Sequence, residues 1–555
     1  YVTGLPAPAS GWFSTATLQE GSYARNEISQ RAFLNYTDSF GAANVTGLIG
    51  YEEIYTKASQ SSAARAGFFN NDLRLLSAGD AGNQRTCQSY NDSGNFTGSC
   101  FKDEWRVRSF FGRANFSYDN RYSVQANVRY DGSSRFAEGN RWGFFPSFSA
   151  GWRISSESFM QDVDLFSNLR VRASWGQLGN ERISANERAG LFNFMNNYNL
   201  GLAYQFNGQV VPAAAVTSAG NPNFSWETTT MRNIGLDMGF LDDRVEVIAE
   251  YFWNYTSDIL LALPVPPSVG VSPPTQNAGE VSNKGWELGV RLRSSPGSVD
   301  AFQYNLGITL SDAVNKIESL SGEGPFYPDK FTVWTEGESI NSLRGYRSPG
   351  IYRTQEDLDR YPAKISPNAT IGDIIYEDLT GDGALTAALY PAGDHVIIGN
   401  EDPRFEFGIN FGASYKGFDF SMFWQGVLEQ YRLLDGALNE GPNWQNYIPA
   451  IMVRERFHPT ENPNGTWPRV ITGNTWNLEE TEFWFLDSKY MRLKNIQLGY
   501  TVPFQQYVQN LRIYVSGENL LTFTPNELYD PETPRGRSQF FPHAKKVSLG
   551  LNVTF

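Results

Sequence analysis

The chain has 555 residues, a formal net charge of -14 and an isoelectric point near 4.9. The length exceeds what one ordinary core serves, so several domains or one very large sheet is expected. The acidity argues against nucleic acid, or an anionic membrane surface, as the main partner.

Aromatic residues make up 15% of the chain while its mean hydropathy is -0.40, so many rings must face something other than a packed core. No run approaches the roughly 18 apolar residues of a transmembrane helix. The best candidate, 259–265, runs into Pro266 and Pro267. The chain opens at Tyr1 on mature-looking sequence with no signal peptide.

In chain order, the first three strands are expected within 11–57. Cys87 and Cys100, the two cysteines of the chain, flank a polar Gly- and Asn-rich stretch. That spacing suits a loop-closing disulfide in an oxidising compartment; the alternative is two unrelated thiols.

Residues 112–130 alternate with period two around a turn at Asp119-Asn120-Arg121. Ala114, Phe116, Tyr118, Tyr122, Val124, Ala126, Val128 and Tyr130 share one face, and Arg113, Asn115, Ser117, Gln125, Asn127 and Arg129 share the other. The pattern returns in 234–255 around Asp242-Asp243 and in 286–310 around Pro296-Gly297. It returns again in 404–428 around Lys416-Gly417. These strands are longer than the usual run of about 5–6 residues, and tight turns alternate with long polar loops. A soluble β-sandwich would also alternate, but that layout is the one of a membrane barrel.

Depth gives a check. Along Val245, Val247, Ala249, Tyr251, Trp253 and Tyr255 the aliphatic residues lie near the turn and the rings lie far from it. Eight steps of ~3.3 Å at a tilt near 40° span about 20 Å, close to the height of an apolar band. The reading is therefore all-β: a transmembrane antiparallel β-barrel in an outer membrane, with about sixteen strands in this chain. With the tight turns periplasmic, the segments 59–103, 132–143, 180–226, 259–282, 318–403, 430–487 and 524–544 are external. The largest of them, 318–403, forms a loop region of its own.

Within that region Asp378-Leu379-Thr380-Gly381-Asp382-Gly383 has the start of a calcium loop, with Asp394 as a late carboxylate. Position 3 is Thr380, and position 12 is Leu389 where such a loop carries Glu. An ion-free Asp/Gly turn is thus an equal reading, with Ca2+ as the cofactor otherwise implied. Trp334, Tyr346, Tyr352, Trp444, Tyr447 and Trp476 put rings in the external loops, where stacking beside polar groups suits sugars or peptide side chains. The competing reading gives these rings to small loop cores. Gly345-Tyr346 and Ser348-Pro349-Gly350 form a candidate hinge. The three histidines lack metal-ligand spacing, and hydrolase and nucleotide motifs are missing, so an enzyme is not expected.

The chain closes on Val547, Leu549, Leu551, Val553 and Phe555, one apolar face ending in an aromatic residue, with Ser548, Gly550, Asn552 and Thr554 on the other. The face belongs toward lipid.

Several stretches carry a family resemblance. They are Tyr130-Asp131-Gly132-Ser133-Ser134-Arg135-Phe136 with Phe145-Pro146-Ser147-Phe148, then Asn221-Pro222-Asn223-Phe224-Ser225-Trp226-Glu227. Asn283-Lys284-Gly285-Trp286-Glu287, Tyr490-Met491-Arg492-Leu493-Lys494-Asn495 and Gly517-Glu518-Asn519-Leu520 follow in order. Together, from about residue 100 onward, they resemble the SusC/RagA family of TonB-dependent outer-membrane transporters of Bacteroidetes-type bacteria.

The resemblance implies a barrel of about twenty-two strands with a plugged lumen, a SusD-like lipoprotein lid and energy from the TonB complex. It also implies that 1–555 is the C-terminal part of such a barrel, with the plug and roughly six strands preceding Tyr1. Active import of oligosaccharides or oligopeptides is the function it implies. A terminal aromatic on the last strand resembles a barrel-insertion signal. A passive sixteen-strand porin and a structural or secretion-associated barrel are the alternatives.

Overall fold

The computed structural model describes residues 17–66, 68, 75–90, 96–98, 100–182, 190–263, 266–295, 301–434, 436, 448–471, 473, 475–503, 508–533 and 543–554. Among the described residues, fifteen long strands pair in chain order into one antiparallel sheet. They are β1 (Thr17–Phe40), β2 (Ala43–Ala66), β3 (Phe101–Tyr118), β4 (Tyr122–Ser133) and β5 (Trp142–Arg153). Next come β6 (Asn168–Asn180), β7 (Glu227–Phe240), β8 (Val245–Ala262), β9 (Thr275–Arg293) and β10 (Gln303–Ser319). The last are β11 (Arg404–Tyr415), β12 (Phe418–Glu429), β13 (Tyr490–Val502), β14 (Asn510–Phe523) and β15 (Lys546–Thr554).

The expected three strands within 11–57 are two, each of 24 residues, which brings about sixteen down to fifteen. The reason is local. The first break in the pairing is the turn at Gly41, whose φ of 62° suits a residue without Cβ, and no earlier position offers a turn. Tight turns elsewhere follow the hairpin rule that both central residues take positive φ. Asp119 and Asn120 lie at 50° and 52°, and Lys416 and Gly417 at 47° and 84°. The turn expected at Pro296-Gly297 falls outside the described residues; β9 and β10 flank it.

Register fixes the two faces. On β8, Val245, Val247, Ala249, Tyr251 and Trp253 stand opposite Leu292, Val290, Leu288, Trp286 and Lys284 of β9. The other face is polar and internally paired. Arg172 donates to Asp237 at 3.0 Å and to Glu250 at 3.3 Å, and Asn233 donates to Glu250 at 2.7 Å. Arg512 pairs with Asp419, and Arg291 with Glu246. Side chains that satisfy one another in this way line a wet interior, while the apolar face meets lipid. On β15, Val547, Leu549, Leu551 and Val553 are exposed on the apolar face, opposite Gly517, Val515, Ile513 and Leu511 of β14. Phe555 falls outside the described residues.

Short connections gather at one end of the sheet and long ones at the other. The connection between β6 and β7 carries its own hairpin, Asn197–Phe206 with Gln209–Ser218. Cys87 and Cys100, between β2 and β3, are joined in a disulfide with Cα atoms 4.7 Å apart.

Where a ring lies flat across the sheet, glycine makes the room. The Tyr514 ring covers Gly550 on the interior face so closely that a Cβ there would overlap it. Gly550→Val is expected to lose about 1–3 kcal/mol through this overpacking. The readout is a lower midpoint for the heat-modifiable folded band of the full-length protein in detergent, with Ser548→Val, a neighbour on the same face, as control.

Candidate functional site

The long-loop end carries a folded lobe. It is built from residues 320–403 between β10 and β11 and the described residues of 430–489 between β12 and β13, and it packs on Leu528 and Tyr529 after β14. A short ladder joins Ser342–Tyr346 to His395–Asn400 and closes the base of the first loop. Helix α1 (Gln355–Arg360) starts at a capping box, in which Thr354 accepts from the Asp357 amide and the Asp357 carboxylate accepts from the Thr354 amide. Helix α2 (Ala450–Glu455) comes from the second loop.

The two loops share one apolar core. Tyr346, Ile351, Ile374 and Tyr376 from the first pack with Leu433, Leu434, Met452, Phe457, Trp467 and Trp484 from the second. Polar ties cross the same boundary. Asp373, wholly buried, accepts from Nε and Nη2 of Arg469 at 2.8 Å each and from Nδ2 of Asn477 at 3.0 Å. Asn477 in turn accepts from the Ile374 amide at 2.9 Å. Tyr376 donates to the Trp476 carbonyl at 2.6 Å, and Arg353 donates to the carbonyls of Pro463 and Gly465. Burial of both kinds of group together makes the lobe a rigid unit, since a buried carboxylate is tolerated only when paired.

The ring residues named from the sequence do not form one groove. Tyr346 and Tyr352 are 2% and 1% exposed, and they belong to the packing of the lobe, which corrects their assignment as substrate-facing rings. The physical reason is that two long loops have enough apolar surface to bury each other. The Tyr352 hydroxyl donates to the Tyr361 carbonyl, and burial pushes its pKa up to about 12. Trp334 sits apart, against Val281, Ile317 and Leu320, with its indole N–H on the Ile340 carbonyl. Trp476 is half-buried at the lobe edge, its Nε1 without a partner among the described residues. Trp444 and Tyr447 lie outside the described residues. The candidate hinge is also packed: the Tyr346 amide donates to the Glu480 carbonyl, and Gly345 lies against the Glu480 backbone.

The Asp-Gly loop is held by its own backbone. Asp378 accepts from the amides of Gly381 and Gly383 at 2.6 and 2.8 Å, and these bonds keep its carboxyl below the usual range. Asp394 accepts from the amides of Leu379, Thr380 and Thr386, and Asp382 accepts from Ala384. Thr380 spends its hydroxyl on the same two carboxylates. As a set, Asp378, Asp382 and Asp394 do not bring their ligand oxygens together. The carboxylates of this stretch are thus held by backbone amides, as in an Asp/Gly turn. Asp530, Glu532 and His543 do converge, but Arg492 and Lys494 already neutralise the two carboxylates.

Sequence reasoning passed over the buried pair at the base of the lobe. Arg344 donates from Nη1 to Nδ1 of His395 at 2.8 Å and to the Ala387 carbonyl at 2.8 Å. An arginine is only a donor, so Nδ1 accepts and the proton sits on Nε2. His395 has no exposed surface, its ring stands edge-on to Tyr346 at 4.2 Å, and it neighbours Asp394 and Lys330. Burial first, then the Arg344 charge, brings its pKa down to about 4. No local spacing links positions 344 and 395, so nothing in the sequence marks the pair.

The sign of the resulting pH dependence follows from the unfolded value near 6.5. Between about pH 6.5 and 4 the opened lobe binds a proton that the closed lobe refuses. Closure is therefore full-strength above 6.5 and weakens by up to about 3 kcal/mol as pH falls to 4. Hydrogen exchange of segments 342–346 and 395–400 is expected to quicken relative to the strands between pH 7 and pH 5, after correction for intrinsic rates. His395→Gln is expected to flatten that response, and an unchanged response in the variant would assign it to another group.

The geometry is now a very large antiparallel sheet with an interior of paired charges, an apolar outer face and a folded lobe over the long-loop end. Comparison with known proteins agrees with it. The family model for the TonB dependent receptor-like β-barrel matches residues 5–520. The chain is 31% identical to TonB-dependent receptor P3 of Formosa agariphila, over 96% of this chain and 52% of that protein. It is 28% identical to TonB-dependent receptor SusC of Bacteroides thetaiotaomicron, over 80% of this chain and 43% of that protein. Among solved structures it superposes on the RagAB peptide importer in its open-open state with a TM-score of 0.76, at 22% identity, over 98% of this chain and 56% of that one. The chain thus spans about half the length of the relatives it matches. It belongs to the TonB-dependent receptor-like β-barrel family of the outer membrane, and within that family it is similar to SusC.

Proposed function

We propose that this chain supplies most of the wall and the outer receptor face of an energy-coupled importer of oligosaccharides or oligopeptides. The observation that carries the reading is the lobe, with two long loops folded into one body above a wall of paired charges. A passive pore has no use for such a platform. A surface lipoprotein of the SusD type does, because a lid needs a fixed seat, and Tyr327 and Tyr390 stand exposed on the same loop to meet a partner or a substrate.

Strand parity supports the same assembly. β1 and β15 run in the same direction, so direct closure would require a parallel pair. An antiparallel barrel requires an odd number of further strands. A barrel of about twenty-two strands leaves about seven, one more than the sequence suggested, to come from the rest of the whole protein together with a plug. The TonB complex would act on that plug from the periplasm. No bond in the cargo is broken, and capture, closure and release are the steps.

The test is uptake by cells carrying the whole protein, with and without a functional TonB complex, using labelled oligosaccharide and oligopeptide mixtures. TonB-dependent uptake of one class and co-purification of a lipoprotein in mild detergent are expected. TonB-independent conductance of the purified protein in planar bilayers would point instead to a pore.

Asp373→Ala separates lobe from wall. Loss of the buried partner of Arg469 and Asn477 is expected to destabilise the lobe by about 3 kcal/mol. Limited proteolysis should then cut within 350–480 while the barrel keeps its heat-modifiable band, and uptake should fall several-fold. Normal uptake with a cleaved lobe would remove the lobe from the mechanism.

A further inference from the structure

The apolar face of the sheet carries cations where lipid headgroups begin. Arg232 of β7, Trp253 of β8 and Lys284 of β9 stand directly opposite one another on adjacent strands. The Arg232 guanidinium carbon lies 4.6 Å from the Trp253 ring centroid, and the Lys284 ammonium lies 5.0 Å from it. One indole is thus flanked by a cation from each neighbouring strand, a favourable arrangement because the ring face is electron-rich. All three side chains are exposed on the lipid side.

Trp253 stands eight steps above Val245, about 20 Å along the barrel axis, at the top of the apolar band on the long-loop side. That side of an outer-membrane barrel faces outward. Just below, Ile234, Tyr251 and Trp286 continue the apolar face. Of the acids above the pair, Glu280 accepts from the Tyr255 hydroxyl, and Glu318, which bonds Ser282 and Lys316, also feels the Lys284 charge. Neither Arg232 nor Lys284 has a carboxylate within ion-pair distance among the described residues.

The wall at β2 and β3, separated from β7 by three strands, provides a comparison. There Arg106 and Arg108 pair with Glu53 and Lys57 pairs with Glu104, while Lys102 beyond them has no ion pair among the described residues. Two cations at the boundary of the hydrocarbon, fixed by a tryptophan, have no carboxylate in direct contact, and at that depth the anions free to make one are phosphates of lipid headgroups.

We propose that Arg232, Trp253 and Lys284 form a binding site for the phosphate-bearing headgroup of an outer-leaflet glycolipid. The chain's net charge of -14 gives no hint of it, because the site depends on two residues and their height in the membrane.

The probe is lipid A, phosphorylated or enzymatically dephosphorylated, titrated into delipidated full-length protein in neutral detergent and followed by native mass spectrometry. Wild type is expected to prefer the phosphorylated lipid, and R232Q/K284Q to bind it weaker by about thirtyfold, the size expected of two basic residues at a charged membrane surface. R108Q, whose cation is already paired, should bind as wild type does. Equal binding by R232Q/K284Q, or no preference for the phosphate in wild type, overturns the proposal. Equally tight binding of inorganic phosphate without lipid also overturns it, by making the site a general anion pocket. If R232Q/K284Q gives no heat-modifiable band, the phosphorylated-against-dephosphorylated comparison in wild type decides alone.

Discussion

The structure depends on the backbone hydrogen-bond ladder. In hydrocarbon no water satisfies an N–H or C=O group, and each one left unpaired costs several kcal/mol, so strands survive there only inside a continuous sheet. That condition explains why strands follow one another in chain order and why the turns at one end are short. It also sets the identity of residues along each strand. Every second side chain meets lipid, and every other one must find a partner in a wet interior, as Arg172, Asp237, Asn233 and Glu250 do.

The same condition decides what could be read from the sequence. Period-two alternation is imposed residue by residue, so 112–130, 234–255 and 404–428 were legible, and so were turns whose Asp, Asn or Gly residues accept positive φ. The first two strands were harder to separate. Exposed polar residues such as Gln19, Glu20, Arg25, Asn26 and Glu27 run through their upper halves, where the strands rise beyond the apolar band and the alternation fades. Of the family blocks, 283–287 and 517–520 lie within strands, while others lie where strands meet loops and pack tightly. Arg135 and Phe136, for example, are almost wholly buried.

The loops obey no period, and there the reading by residue type failed. A tyrosine in a long polar loop looks available for ligand, yet Tyr346 and Tyr352 are interior because loops far apart in sequence bury each other. Asp373 finds Arg469 and Asn477 across about a hundred positions, and Arg344 finds His395 across about fifty. Such pairs are set by three-dimensional closure alone. The Asp-Gly loop leaves a turn and a cation loop both open in sequence, and in the fold backbone amides hold its carboxylates. An Asp-rich turn and a cation loop share composition, and direction of the oxygens separates them.

Charge placement links the three regions. Inside the wall, several cations and carboxylates pair, as Arg172 does with Asp237 and Glu250 and Arg512 with Asp419. In the lobe they are matched again and buried, which fixes the two loops to each other. On the lipid side at the headgroup boundary, Arg232 and Lys284 flank Trp253 with no carboxylate in direct contact among the described residues. Neither cation is needed for the ladder, which is complete through β7, β8 and β9 without them. Their position is explained by what lies beside the protein. The ladder determines which side chains face lipid, depth determines whether they meet hydrocarbon or phosphate, and at that level a cation is favourable only where the membrane supplies the anion.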